Sequence, residues 1–119
     1  MNELGLVVED DMDLAIIFSE ALQAAGFQVE TARDGQTARN LLLTTEPKVV
    51  ILDLHLPVVD GPSLFEQIRA DPRLKETIVV VATADARLAE AYQDQADFVL
   101  VKPISFTQLR DLTQRLHRE

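Results

Sequence analysis

Short apolar runs alternate along the chain with longer stretches in which apolar residues recur at helical spacing. The runs cover residues 4–8, 49–52, 78–82 and 98–101, with a weaker one at 27–31. They are rich in Val, Ile and Leu and show little strict alternation, as strands buried on both faces of a parallel sheet do. Between them, Leu14, Ile17, Phe18, Leu22 and Ala25 mark a first helix, which Gly26 stops. Ala38, Leu41 and Leu42 mark a second helix that ends before Pro47, and Leu64, Phe65 and Ile68 mark a third after Gly61-Pro62. A fourth, roughly 87–95, is short. The last spans about 106–116, with Leu109, Leu112 and Leu116 as its buried stripe, Ser105 as its N-cap and His117 favouring its dipole when charged. The alternation of strand and helix predicts an α/β fold, a doubly wound parallel sheet with right-handed crossovers and helices on both faces.

Composition narrows the function classes. A chain of 119 residues suits one domain over 1–119, and 47% hydrophobic residues can build a core, so this is not a disordered acidic tail. The formal net charge of -9 argues against a sequence-independent grip on nucleic acid and against an anionic membrane surface, and leaves protein partners and cations open. The absence of Cys excludes a disulfide framework, a thiolate nucleophile and a Cys-based zinc site. The opening MNELGLVVEDD does not read as a signal peptide, and no apolar run approaches the ~20 residues that span a bilayer. The expectation is a cytoplasmic domain, free-standing or part of a longer protein.

The chemistry gathers at the ends of the apolar runs. The first ends in Glu9-Asp10-Asp11, the third in Asp53, the fourth in Thr83 and the fifth in Lys102. In a parallel sheet these ends share one edge, and the crevice where strand order reverses is the usual ligand site. The second run ends in Ala32-Arg33, which offers no comparable group and suits an edge strand away from the site. Three carboxylates on one rim repel: at ~5 Å and an effective dielectric of ~20, each pair costs about 3 kcal/mol. Lys102 supplies one positive charge, and a hard cation such as Mg²⁺, held by one or two carboxylates, would supply more. A carboxylate beside Mg²⁺ can accept a phosphoryl group whose oxygens Lys102 and the Thr83 hydroxyl would bind.

The ordered set LVVEDD, AAGFQVETARDG, VVILDLHLPVVDG, VVVATA and FVLVKP resembles the receiver domain of two-component response regulators over essentially the whole chain. The resemblance implies a flavodoxin-like five-stranded sheet in the order 2-1-3-4-5. It implies that Asp53 is the phosphoacceptor, that Mg²⁺ is bound by Asp10 directly, Glu9 through water, Asp53 and the backbone carbonyl of His55, and that Thr83 and Lys102 hold the phosphoryl oxygens. The Lys102-Pro103 peptide is then cis. The donor would be a sensor histidine kinase, a phosphotransfer protein or a small acyl phosphate. Phosphorylation would add ~-1.5 to -2 charges and shift the domain between two states that bind an unknown downstream protein differently. A homodimer is left open.

Two positions depart from the family pattern. The aromatic residue that receivers often carry three positions before the site lysine is Val99 here, and Phe98 should point to the opposite side of the strand. The stretch between Thr83 and Lys102 is short by about one helical turn, which suggests output through a different or an altered face. Asp11 or Asp13 reads as a cap of the first helix, Asp60-Gly61 as a turn and helix start. The His55 side chain and Asp85, two past Thr83, are candidates to gate water attack on phospho-Asp53. Two rival functions remain: a phosphorylation-independent docking module on the same fold and, more remotely, an aspartyl-phosphate-forming phosphatase with His55 as general acid.

Overall fold

The computed structural model describes residues 3–56 and 59–117, without the side chain of His117. The earlier reading of that side chain, and Pro57 and Val58 of the VVILDLHLPVVDG motif, lie outside the described residues. The elements in chain order are β1 (Leu4–Val8), α1 (Met12–Ala24), β2 (Gln28–Ala32), α2 (Gly35–Thr44), β3 (Val49–Asp53), α3 (Gly61–Ala70), a 3-10 turn (Pro72–Leu74), β4 (Ile78–Thr83), α4 (Ala86–Tyr92), β5 (Phe98–Val101) and α5 (Phe106–His117). All neighbouring strands pair in parallel in the order β2-β1-β3-β4-β5.

The two faces of the sheet account for the continuous apolar runs. Leu6, Val8, Val50, Leu52, Val79 and Val81 belong to one buried cluster with Leu42 of α2 and Leu64, Phe65 and Ile68 of α3. Their neighbours Val7, Val49, Ile51, Val80 and Ala82 belong to the other, with Phe18 and Leu22 of α1 and Leu109 and Leu112 of α5. Because successive strand residues point to opposite faces, a strand covered on both sides must be apolar at every position. Burying each such Val, Leu, Ile or Phe side chain contributes about 1.5–3 kcal/mol, and this holds the strand ends in register.

Three details differ from the sequence reading. The second strand begins at Gln28, one residue later, because Phe27 still closes α1: the Gly26 N–H donates to Gln23 O and the Phe27 N–H to Leu22 O, both at 3.0 Å. Gly26 takes φ 107, the left-handed conformation this closure requires. On α1 the buried positions are Ala15, Phe18, Ala21 and Leu22, whereas Ile17 is 37% exposed, off the buried stripe. Helix α4 has only 7 residues. Residues 93–95 turn instead of extending it, with the Gln95 and Ala96 N–H groups both returning to Tyr92 O at 3.0 Å. The Lys102-Pro103 peptide is cis, as the family pattern implied.

Candidate functional site

The sheet order places the C-terminal ends of β1 and β3 side by side, with α1 leaving one and α3 the other. Val8 is paired with Leu52, so Glu9 and Asp10 leave β1 beside Asp53, the last residue of β3. Asp53 is paired with Ala82, which puts Thr83 at the adjoining end of β4, and Thr83 is paired with Val101, next to Lys102. Gly61 keeps this corner tight: a Cβ there would lie 2.4 Å from Leu54 Cα and 2.6 Å from Asp53 O, so any side chain would push α3 off the end of β3.

Carboxylate oxygens of Glu9, Asp10 and Asp53 lie within 4.8 Å of one another. Glu9 and Asp53 are buried, at 1% and 3% exposure, while Asp10 is open to solvent. Lys102 enters from the far side, its Nζ 2.9 Å from Glu9 Oε1 and 3.6 Å from Asp53 Oδ1. One ammonium therefore faces two buried carboxylates, with a third, Asp10, close beside them. Burial pushes the Glu9 carboxyl above its ordinary range; the Lys102 hydrogen bond opposes this and the Asp53 charge adds to it. Burial likewise raises Asp53, with the His55 amide and Lys102 pulling down and Asp10 pushing up. A divalent cation fits this donor set: hard oxygens, an uncompensated negative charge, and a solvent-facing carboxylate that leaves room for metal-bound water.

The remaining candidates occupy distinct places. The His55 N–H donates to Asp53 Oδ1 at 3.1 Å, and its side chain is exposed. Thr83 is fully buried, and its Oγ1 accepts the Asp85 N–H at 3.0 Å, which leaves the hydroxyl proton to be donated. Asp85 is exposed, and one of its carboxylate oxygens has a structural task. Its Oδ1 caps α4, accepting from the Arg87 N–H at 2.9 Å and the Leu88 N–H at 3.3 Å. Asp11 caps α1 by accepting the Leu14 N–H at 3.0 Å, and Asp60 caps α3 by accepting the Ser63 N–H at 2.9 Å.

Sequence reasoning set Arg33 aside, and the structure overturns that. From the end of β2 its guanidinium donates to the Asp10 carbonyl, from Nε at 3.3 Å and from Nη2 at 3.2 Å. The signal was available in the strand order: β2 neighbours β1, and Val8 is paired with Ala32, so the residue after Ala32 must lie beside the acidic turn.

The model of the response regulator receiver domain matches residues 6–114 of this sequence. The chain belongs to the receiver domains of two-component response regulators. Among curated relatives it is 35% identical over 122 residues to the probable methanogenesis regulatory protein FilR2 of Methanothrix harundinacea, covering 93% of this chain and 79% of that protein. It is 36% identical over 106 residues to the transcriptional regulatory protein PrrA of Mycobacterium leprae, covering 87% of this chain and 45% of that protein. The chain thus spans less than half the length of that regulator. Among solved structures, a CheY-like receiver domain from Methylobacillus flagellatus superposes with a TM-score of 0.84 at 31% identity, covering 98% of this chain and 99% of that one. A BeF3-activated DrrB receiver domain superposes with a TM-score of 0.85 at 27% identity, covering 100% of both chains.

Within this receiver, Val99 packs on the α3 and α4 side of the sheet with Leu88, Tyr92 and Ala96, whereas Phe98 is 37% exposed. Tyr92 is the aromatic that α4 contributes to that side, its ring edge-on to Phe65 with centroids 5.1 Å apart at 80°. Arg69 lies over the other partner of this pair, 5.1 Å from the Phe65 centroid, and ties α3 to the residues before β5 by donating to Gln95 O and Asp97 Oδ2, both at 3.2 Å.

Proposed function

We propose that this receiver accepts a phosphoryl group on Asp53 and that Glu9, Asp10, Asp53 and the His55 carbonyl hold the Mg²⁺ that the reaction needs. The observation that carries the reading is the crowding of Glu9, Asp10 and Asp53 within 4.8 Å around a single ammonium. Bound there, the metal would neutralise charge on the transferring phosphoryl oxygens. An Asp53 carboxylate oxygen attacks phosphorus as the bond to the donor atom breaks, and the electron pair leaves with the donor, a histidine nitrogen or an acyl oxygen. Lys102 swings its ammonium from Glu9 toward a phosphoryl oxygen, and Thr83 donates its proton to another. Burial of Asp53 limits the access of bulk water.

A protein donor fits the surroundings of the rim. Met12 and Ile16 of α1 are 57% and 49% exposed beside the acidic turn, an apolar surface that a sensor kinase or phosphotransfer protein can cover while its histidine reaches Asp53. The short α4 and the valine at position 99 support output through an altered α4–β5 surface. The chain acts as a switch in the cytoplasm and not on a pool of separate substrates.

Intact mass after incubation with acetyl phosphate tests this. A labile single-phosphate adduct that needs Mg²⁺ and is absent from Asp53→Asn is expected. An adduct that persists in Asp53→Asn, or no adduct in a wild-type chain that binds Mg²⁺, overturns the reading and leaves phosphorylation-independent docking. Steady release of phosphate from an ester over many cycles would instead mark a phosphatase.

A further inference from the structure

The peptide unit between Asp10 and Asp11 is held from both sides. On one side Arg33 donates twice to the Asp10 carbonyl oxygen, at 3.3 and 3.2 Å. On the other the Asp11 N–H donates to Glu9 Oε2 at 3.2 Å. The carbonyl and the N–H belong to one planar unit and point in opposite directions, so fixing one fixes the other. Glu9 passes the constraint on. Its second oxygen takes Lys102 Nζ at 2.9 Å, and that ammonium stands 3.6 Å from Asp53 Oδ1.

We propose that Arg33 is a positioning residue for the phosphorylation site, acting through the Asp10–Asp11 peptide to orient Glu9 and the turn that carries the Asp10 carboxylate. The proposal rests on the Mg²⁺-dependent reading above. Among the described residues Arg33 makes no ion pair with a carboxylate. It therefore orders the acidic turn without competing for the oxygens a metal needs. Its two donors also suit the task better than an ammonium would, because the planar fork limits how the carbonyl can tilt.

Charge and positioning predict opposite signs. Removing a cation near an acidic rim leaves that rim more attractive to Mg²⁺. Removing the brace that sets the turn makes binding weaker, by about tenfold for partners outside the ligand sphere. Calorimetric titration of Mg²⁺ into the chain without phosphoryl donor separates these. Arg33→Ala is expected to raise the dissociation constant about tenfold, with Arg33→Lys between it and wild type. The Asp11 amide should exchange faster by NMR, while the metal-free unfolding midpoint stays put. With acetyl phosphate, the Mg²⁺ concentration giving half-maximal rate should rise, and the rate at saturating Mg²⁺ should stay within about twofold.

Unchanged or tighter Mg²⁺ binding by a folded Arg33→Ala overturns the proposal. Should that variant lose its native spectrum, Arg33→Lys carries the same test, and a dissociation constant at or below wild type overturns it. A wild-type chain that binds no Mg²⁺ sinks both this proposal and the site reading it rests on, whereas equal binding by wild type and variant sinks this proposal alone.

Discussion

The two ends of the sheet treat charge in opposite ways. At the N-terminal ends of the strands, Lys48 meets Glu3 at 3.9 Å, and Arg73 meets Glu46 at 3.8 Å and Asp71 at 3.0 Å. These side chains are partly exposed, and Arg73 also donates to the α2 carbonyl Leu42 O at 2.6 Å. At the C-terminal ends, the buried carboxylates of Glu9 and Asp53 meet on Lys102, with the exposed Asp10 carboxylate close beside them. The first arrangement is what stability alone would select. The second holds unfavourable charge in place, which a fold tolerates only where the packing around it is firm. The packed strands β1, β3 and β4 supply that firmness, and the tension at their ends is what the proposed cation would relieve.

Lys102→Met would break the contrast most severely. It removes the ammonium bonded to Glu9 and facing Asp53, which leaves two buried carboxylates uncompensated. Metal-free stability at neutral pH should fall by about 3 kcal/mol in denaturant melts. Part of the loss should return when Mg²⁺ is added. A variant as stable as wild type without metal would mean that the rim carries no such tension.

Both regions were unequally legible in the sequence. Glu9, Asp10, Asp53, Thr83 and Lys102 could be found because each follows an apolar run, and a parallel sheet gathers such ends at one edge. Strand order came from family resemblance and not from periodicity. Arg33 was missed because its part is played across β1 and β2 by a long side chain reaching a main-chain carbonyl, which no local pattern encodes. The cap made by Asp85 Oδ1 was hidden for a related reason: it depends on α4 starting at Ala86, a boundary the sequence pattern placed only roughly. The polar Gln93-Asp94-Gln95 carries no apolar signal to tell a last helical turn from a loop.

A smaller effect sharpens the comparison through pH. Glu9 and Asp53 have folded values raised above their ordinary range, so their contribution to stability is fully present below that range and is lost as pH rises through the raised values. Asp34 and Asp60 behave oppositely. Their caps hold them below the ordinary range, first through the Thr37 and Ser63 amides, so their contribution is present above it and is lost as pH falls through the lowered values. Thermal melts of the metal-free chain should therefore show stability rising as pH drops from neutral toward the ordinary carboxylate range, then falling at more acid pH. Mg²⁺ at a hundred times its dissociation constant should add about 2.7 kcal/mol near neutrality and less as pH falls toward the ordinary carboxylate range, where protons compete for the rim. Glu9→Gln should flatten the rising limb. A rising limb that survives when Glu9→Gln and Asp53→Asn are combined in one chain would place its origin elsewhere.

The smallest effect belongs to the opposite end of the sheet. Lys48→Ala removes an ion pair whose side chains are 28% and 38% exposed and whose closest atoms are 3.9 Å apart. Such pairs contribute between about 0 and 1 kcal/mol, because solvent screens them and both long side chains lose freedom in forming them. Here Glu3 keeps its other oxygen, Oε1, buried without a hydrogen-bond partner, a desolvation cost that offsets the attraction. The substitution should thus shift stability by less than about 0.5 kcal/mol and leave Mg²⁺ binding and phosphorylation unchanged. A loss as large as that of Lys102→Met would show that the base of the sheet is under comparable tension. Charge crowding would then be a property of the whole chain and not the mark of the rim proposed to take the phosphoryl group.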